Sequence, residues 1–149
     1  MRIIAGKYRS LPLEAVKGNN TRPTTDKIKE AVFNSIGPYF DGGLMLDLYA
    51  GSGSVGLECI SRGMDHAVFV DKSYDAISTI KKNIAFVKVP SQCTVLKMDA
   101  NMAIKRMASE GKKFDLVYMD PPYANQQNEK IMNELCELDL LNENAVVVV

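Results

Sequence analysis

Between residues 44 and 149, short apolar runs take turns with longer amphipathic stretches, and this alternation constrains the fold more than any other feature. Residues 44–49, 67–71, 94–98, 114–120 and 145–149 have the length and character of strands. Stretches at 54–62, 73–86, 100–110 and 129–138 read as helices between them. Ser73 caps the second of these, and Gly63 and Gly111 close the first and third. Strand, helix and strand in succession mean parallel pairing through helical crossovers. The expected fold class is therefore α/β, an open and mostly parallel sheet with helices on both faces. Upstream, residues 2–4 and 7–13 read as two short strands turning near Gly6. A polar loop at 17–23 leads to a helix beginning near Asp26, with Thr24 or Thr25 as its cap. Ile28, Ala31, Val32 and Ile36 form its expected apolar stripe, and Gly37-Pro38 its stop. The organisation is an N-terminal extension, residues 1–40, ahead of one compact domain at 41–149. The closing run Ala145-Val-Val-Val-Val149 reads as a buried strand, which implies a natural chain that continues.

Composition removes several classes. A chain of 149 residues, 46% apolar and 24% charged, holds one domain with a real core and is not wholly disordered. Its three cysteines, Cys59, Cys93 and Cys136, form no CxxC pair, and an odd number cannot all close within the chain. A reducing cytoplasm is the simple reading. One histidine and scattered cysteines offer little for zinc, so no metal is expected. No run approaches the roughly 20 apolar residues of a membrane span, and the first residues do not form a signal peptide. The net charge of zero conceals an asymmetry. Residues 1–30 carry seven basic and three acidic side chains, a charge of +4, against eleven and fifteen, −4, in the remainder. A basic front end on an acidic body fits either a partner bearing phosphates or an exposed tail with incidental charge.

The chemistry concentrates at two places. The first is Asp47-Leu-Tyr-Ala-Gly51-Ser-Gly53-Ser-Val-Gly56, after a strand and opening a helix. Glycines permit a sharp turn and close backbone approach, and a helix N-terminus offers free N–H groups. The spacing fits a dinucleotide fingerprint, with Asp71 placed 20 residues after Gly51 to accept from ribose hydroxyls. It also fits a plain strand-to-helix turn. Asp47 counts against a pyrophosphate, which it would repel, and suits a ligand carrying an ammonium group. The second place is Asp120-Pro121-Pro122-Tyr123, at the end of the fourth strand. Two prolines fix an extended backbone without N–H donors and leave the Asp120 carboxylate and the Pro121 carbonyl as acceptors. That pair suits a planar exocyclic amine, and Tyr123 offers a face for a flat base.

These motifs resemble class I S-adenosylmethionine-dependent methyltransferases. Residues 47–56 resemble their first motif, and residues 120–123 the [D/N]PP[Y/F] motif of members that methylate exocyclic or amide nitrogens. The front end, Arg2-Ile-Ile-Ala-Gly-Lys-Tyr-Arg9 with Thr21-Arg-Pro-Thr-Thr-Asp-Lys-Ile-Lys-Glu30, is similar to the RsmD family of bacterial 16S rRNA guanine-N2 methyltransferases. The resemblance covers the whole chain. It implies a Rossmann-like sheet of order 3-2-1-4-5 behind a small hairpin and helix. Members usually continue through a further helix and closing strands that this chain lacks. It implies a monomer acting on 16S rRNA in a small ribosomal subunit or its precursor, with S-adenosylmethionine consumed and S-adenosylhomocysteine released.

Roles follow from the resemblance. Asp47 and the turn Gly51, Ser52 and Gly53 would line the methionine end of the cofactor and Asp71 would hold its ribose, with Tyr49, Ala50 and Lys72 also cofactor-binding. Asp99 and Ala100 would meet the adenine, although Asp99 is equally a cap for the helix at 100, and Asp71 could belong to the start of the helix at 73. Asp120, Pro121, Pro122 and Tyr123 would be catalytic. Arg2, Lys7, Arg9, Arg22, Lys27 and Lys29 would bind RNA phosphates or close over the site, although each lysine is also readable as a solvated surface charge. Adenine-N6 or protein glutamine-N5 methylation uses the same tetrapeptide. A nicotinamide enzyme would leave residues 120–123 idle, and an inert module would retain only a cofactor pocket.

Overall fold

A computed structural model describes residues 1–17, 25–121 and 126–149. Five parallel strands, β1 (Leu44–Asp47), β2 (His66–Asp71), β3 (Cys93–Lys97), β4 (Phe114–Tyr118) and β5 (Leu141–Val148), form one sheet in the order β3-β2-β1-β4-β5. This is the expected order 3-2-1-4-5. Five helices accompany it: α1 (Asp26–Ile36), α2 (Ser54–Ser61), α3 (Tyr74–Val87), α4 (Ala100–Ser109) and α5 (Gln126–Glu137). A short 3-10 turn, Pro90–Gln92, enters β3.

The sheet separates two apolar cores. Phe69, Leu57, Ile80 and Ile84 belong to the face covered by α2 and α3, while Val68, Ile104, Met107, Ile131 and Leu135 belong to the face covered by α4 and α5. Central strands covered on both faces read as unbroken apolar runs, which is why residues 44–49 and 67–71 were legible as strands. Gly56 lets α2 lie directly on β2, because a Cβ there would fall 2.3 Å from Phe69 Cε2.

The front end packs on the first of these cores. Ile3, Leu13 and Phe33 are buried in it. The two expected front strands meet in a hairpin-like arrangement with one antiparallel bridge, Arg2 to Pro12, and bonds from Ile3 N to Leu11 O and Leu13 N to Met1 O. Three expectations need correction. Of the expected stripe of α1, Val32 and Ile36 pack against the core, but Ile28 is 54% exposed and Ala31 faces solvent, and the fully buried residues are Lys29 and Phe33. Lys29 therefore cannot serve RNA phosphates. Among the described residues the run at 145–149 is half-buried, with Val146 and Val149 exposed and β5 paired with β4.

Candidate functional site

Parallel strands carry their C-terminal ends to one edge of the sheet, and four carboxylates gather there. Asp47 ends β1 and Asp71 ends β2, Asp99 follows β3, and Asp120 follows β4. The order β3-β2-β1-β4 makes their strands neighbours. The order reverses direction between β1 and β4, the kind of switch point beside which open α/β sheets bind ligands.

The glycine turn is fixed from its surroundings. Leu48 N donates to Tyr118 O at 3.1 Å and Ala50 N to Val70 O at 2.9 Å, which extends the β1 pairings past the strand itself. Gly51 (φ +57°) donates its N–H to Asp71 Oδ2 at 2.9 Å, and Gly53 (φ +86°) stands at the N-cap of α2. Both take the left-handed conformation that glycine adopts at little cost. A Cβ on Gly51 would have no atom within 4 Å, so the turn presents bare backbone to open space.

Each carboxylate has a distinct environment. Asp47 is buried; its Oδ1 accepts from Tyr49 N at 3.3 Å, and its Oδ2 has no hydrogen-bond partner among the described residues. Burial pushes its carboxyl up to about 7, partly opposed by the Tyr49 N–H and reinforced by the charges of Asp71 and Asp120. Asp71 accepts from Gly51 N and, through Oδ1, from Ser73 N at 2.9 Å. It thus braces the turn, and each oxygen keeps a further lone pair for a ligand. Ser73, not Asp71, caps α3. Asp99 caps α4 by accepting from Met102 N at 2.8 Å and remains exposed, so both of its possible roles are compatible with its position. Burial raises the Tyr49 phenol, helped by the Asp99 charge. Asp120 and Pro121 are half-buried beside this group. Ala50 and Ala100 are buried, Ser52 is half-buried, and Lys72 is exposed. Pro122, Tyr123 and Arg22 lie outside the described residues.

The basic side chains divide. Arg2, Lys7, Arg9 and Lys27 face solvent. Lys29 Nζ instead lies 2.7 Å from Arg2 O and 3.2 Å from Glu58 Oε1, both side chains fully buried. Glu58 also accepts from Ile4 N, Ala5 N and Arg62 Nε, at 2.9, 3.1 and 2.7 Å. Arg62 stacks on Phe33 and donates to Pro38 O. Desolvation lowers the Lys29 pKa, and Glu58 opposes the shift. This network holds the front end against α2. The sequence reading missed it, though the i,i+4 pair Glu58 and Arg62 in a mostly apolar helix was a readable signal.

The whole chain, residues 1–149, matches the family described as Conserved hypothetical protein 95. YlbH of Bacillus subtilis is 43% identical over 148 residues, covering 99% of this chain and 80% of that protein. Ribosomal RNA small subunit methyltransferase D of Haemophilus influenzae is 32% identical over 149 residues, covering 100% and 77%. The solved structure of yhhF from Escherichia coli superposes with a TM-score of 0.84 at 31% identity, covering 99% of this chain and 78% of that one. The fold is the Rossmann-like one of class I methyltransferases, and the chain belongs to the Conserved hypothetical protein 95 family, that of the RsmD methyltransferases.

Proposed function

We propose that this protein methylates the exocyclic N2 of one guanine in 16S rRNA, in the cytoplasm and within a small ribosomal subunit or its precursor, using S-adenosylmethionine. The observation that carries the reading is the pairing of a buried Asp47 Oδ2, without a hydrogen-bond partner among the described residues, beside a bare glycine turn, with Asp120-Pro121 at the next strand end. The relative from Haemophilus influenzae, named for small-subunit rRNA methylation, supports it. The crevice chemistry fits that cofactor. An ammonium group satisfies Asp47, while a pyrophosphate would meet four carboxylates. Asp71 has lone pairs for ribose hydroxyls, Asp99 an acceptor for an adenine amine, and the backbone at Ala50, Gly51, Gly53 and Ala100 a surface for close approach.

When bound, the cofactor supplies a methyl group already activated on a sulfonium for direct displacement. The remaining work is alignment. A guanine 2-amino group has its lone pair delocalised into the ring and is a poor nucleophile. Hydrogen bonds from that amine to the Asp120 carboxylate and the Pro121 carbonyl turn its lone pair out of the ring plane. These acceptors are set before reaction, so their effect on the barrier is not spent on reorganisation. Proton loss follows methyl transfer, when the nitrogen is cationic, so Asp120 needs no unusual basicity. Tyr123 is assigned the face of the base, which must leave its stack to enter. Arg2, Lys7 and Arg9, all exposed, are assigned to phosphates.

The test is methyl transfer from labelled S-adenosylmethionine to small subunits lacking this methylation, with naked rRNA and DNA in parallel, followed by mapping of the modified base. Label on N2 of a single guanine is the expected result. Label on an adenine, on DNA or on protein glutamine would replace the guanine reading with one of the other amine or amide acceptors.

A further inference from the structure

We propose that Asn83 is a positioning residue that couples the basic front segment to the glycine turn, so that RNA held by the segment tightens cofactor binding. This rests on the function proposed above. Asn83 lies within α3, 2% exposed, and its side-chain amide is spent on two other parts of the chain. Nδ2 donates to Ser52 O at 2.9 Å and to Glu14 O at 3.0 Å, and Oδ1 accepts from Glu14 N at 2.9 Å. The exchange with Glu14 is reciprocal, as between paired strands, and the remaining bond grips the middle residue of the turn. Ser52 Oγ adds a contact to Met1 Sδ at 3.3 Å.

The segment has a second anchor. Ile4 N and Ala5 N bind Glu58, Lys7 N donates to Ser61 O at 2.8 Å, and Ser61 Oγ donates to Ala5 O at 2.6 Å. Arg2, Lys7 and Arg9 project into solvent from this anchored segment, Arg9 between the two anchors. A phosphate backbone bound to them restrains a segment whose far end, Glu14, shares one side chain with the turn. Ser52 stands between two glycines in the left-handed region, which resist displacement less than other residues. The Asn83 bond to the Ser52 carbonyl therefore matters to how well that turn is held. Such coupling must be reciprocal for binding affinities.

The experiment is equilibrium dialysis of tritiated S-adenosylhomocysteine with the full chain, alone and saturated with small ribosomal subunits. The wild-type chain is expected to bind about fivefold or more tightly with subunits present, the lower end of typical couplings. Asn83→Ala is expected to bring that ratio close to one. Glu14 is exposed, and Glu14→Pro removes the N–H that Asn83 Oδ1 accepts and fixes φ there, while the Glu14 carbonyl stays available to Asn83 Nδ2. It should lower the ratio while leaving affinity without subunits unchanged, and it decides the matter if Asn83→Ala does not fold. A purely structural Asn83 would weaken both affinities alike and leave the ratio intact, which would overturn the proposal. So would a wild-type ratio of one in a chain that methylates subunits, with the function reading left standing. A wild-type chain that binds no S-adenosylhomocysteine would overturn both.

Discussion

Asp47→Asn should separate the cost of the buried carboxylate from its use. In the unfolded chain an aspartate titrates near 3.8, and in the folded chain burial moves Asp47 to about 7. Between these values the folded state holds a proton that the unfolded state has released. Stability therefore falls as pH rises through this window and is flat above it. Each pH unit inside it costs about 1.4 kcal/mol, so from pH 5 to pH 8 the wild-type chain should lose about 3 kcal/mol through this group alone. The amide of Asp47→Asn does not titrate. It does place an N–H pair where Oδ2 lacks a partner, a pH-independent cost of about 1–3 kcal/mol. The slope against pH, not the absolute stability, is thus the diagnostic quantity. The chain has no tryptophan, so urea unfolding is best followed by circular dichroism, with the m-value checked for constancy. The difference between the two proteins should shift by about 3 kcal/mol in favour of Asp47→Asn between pH 5 and pH 8. Affinity for S-adenosylhomocysteine should move the opposite way. The carboxylate form binds the ammonium, so wild-type affinity should fall as pH drops below 7, while the variant should be weaker at pH 8 by about tenfold or more and insensitive to pH. A stability difference that stays constant across this range would refute the placement of Asp47 as a buried, desolvated acid.

Asp120→Ala should lower single-turnover methyl transfer by about 10²–10³-fold, as for loss of one preset electrostatic contact, with S-adenosylhomocysteine affinity by dialysis changed little. Gly56→Ala should destabilise by about 1–3 kcal/mol in urea, because its Cβ would enter the Phe69 ring, and Phe69→Leu in the same chain should recover part of that loss. Glu58→Gln should cost about 3–5 kcal/mol, since it strands Lys29 and Arg62 as buried cations, and limited proteolysis should then release the first 14 residues more readily.

The legible part of this fold is the part written in short-range pattern. Buried central strands announce themselves as apolar runs, and the glycine turn carries its own conformational demand at Gly51 and Gly53. Carboxylates at strand ends were readable because a parallel sheet delivers all such ends to one edge. What escaped depends on partners distant in the chain. Hydropathy favours Ile28 and Ala31 as the inner face of α1, yet the helix turns Lys29 inward because Glu58 and the Arg2 carbonyl await it. Nothing in the sequence around Asn83 marks it, and only the approach of Glu14 and Ser52 shows what its amide does.

The two charge patterns divide the work under the proposed reaction. Asp47, Asp71, Asp99 and Asp120 make the crevice anionic, and such a crevice accepts ammonium and amine donors while repelling phosphodiesters. RNA must then be held elsewhere, and only an extruded base can enter. In the proposed reading the exposed cations of the front segment would supply that hold, and their opposite sign would favour entry by the base and not the backbone. Neutral overall charge is consequently no argument against a nucleic-acid substrate here. The same asymmetry predicts that raising salt from 50 to 200 mM weakens subunit binding steeply and leaves S-adenosylhomocysteine binding by the chain alone nearly unchanged. Equal salt sensitivity of both ligands in dialysis would show that the two surfaces do not act separately.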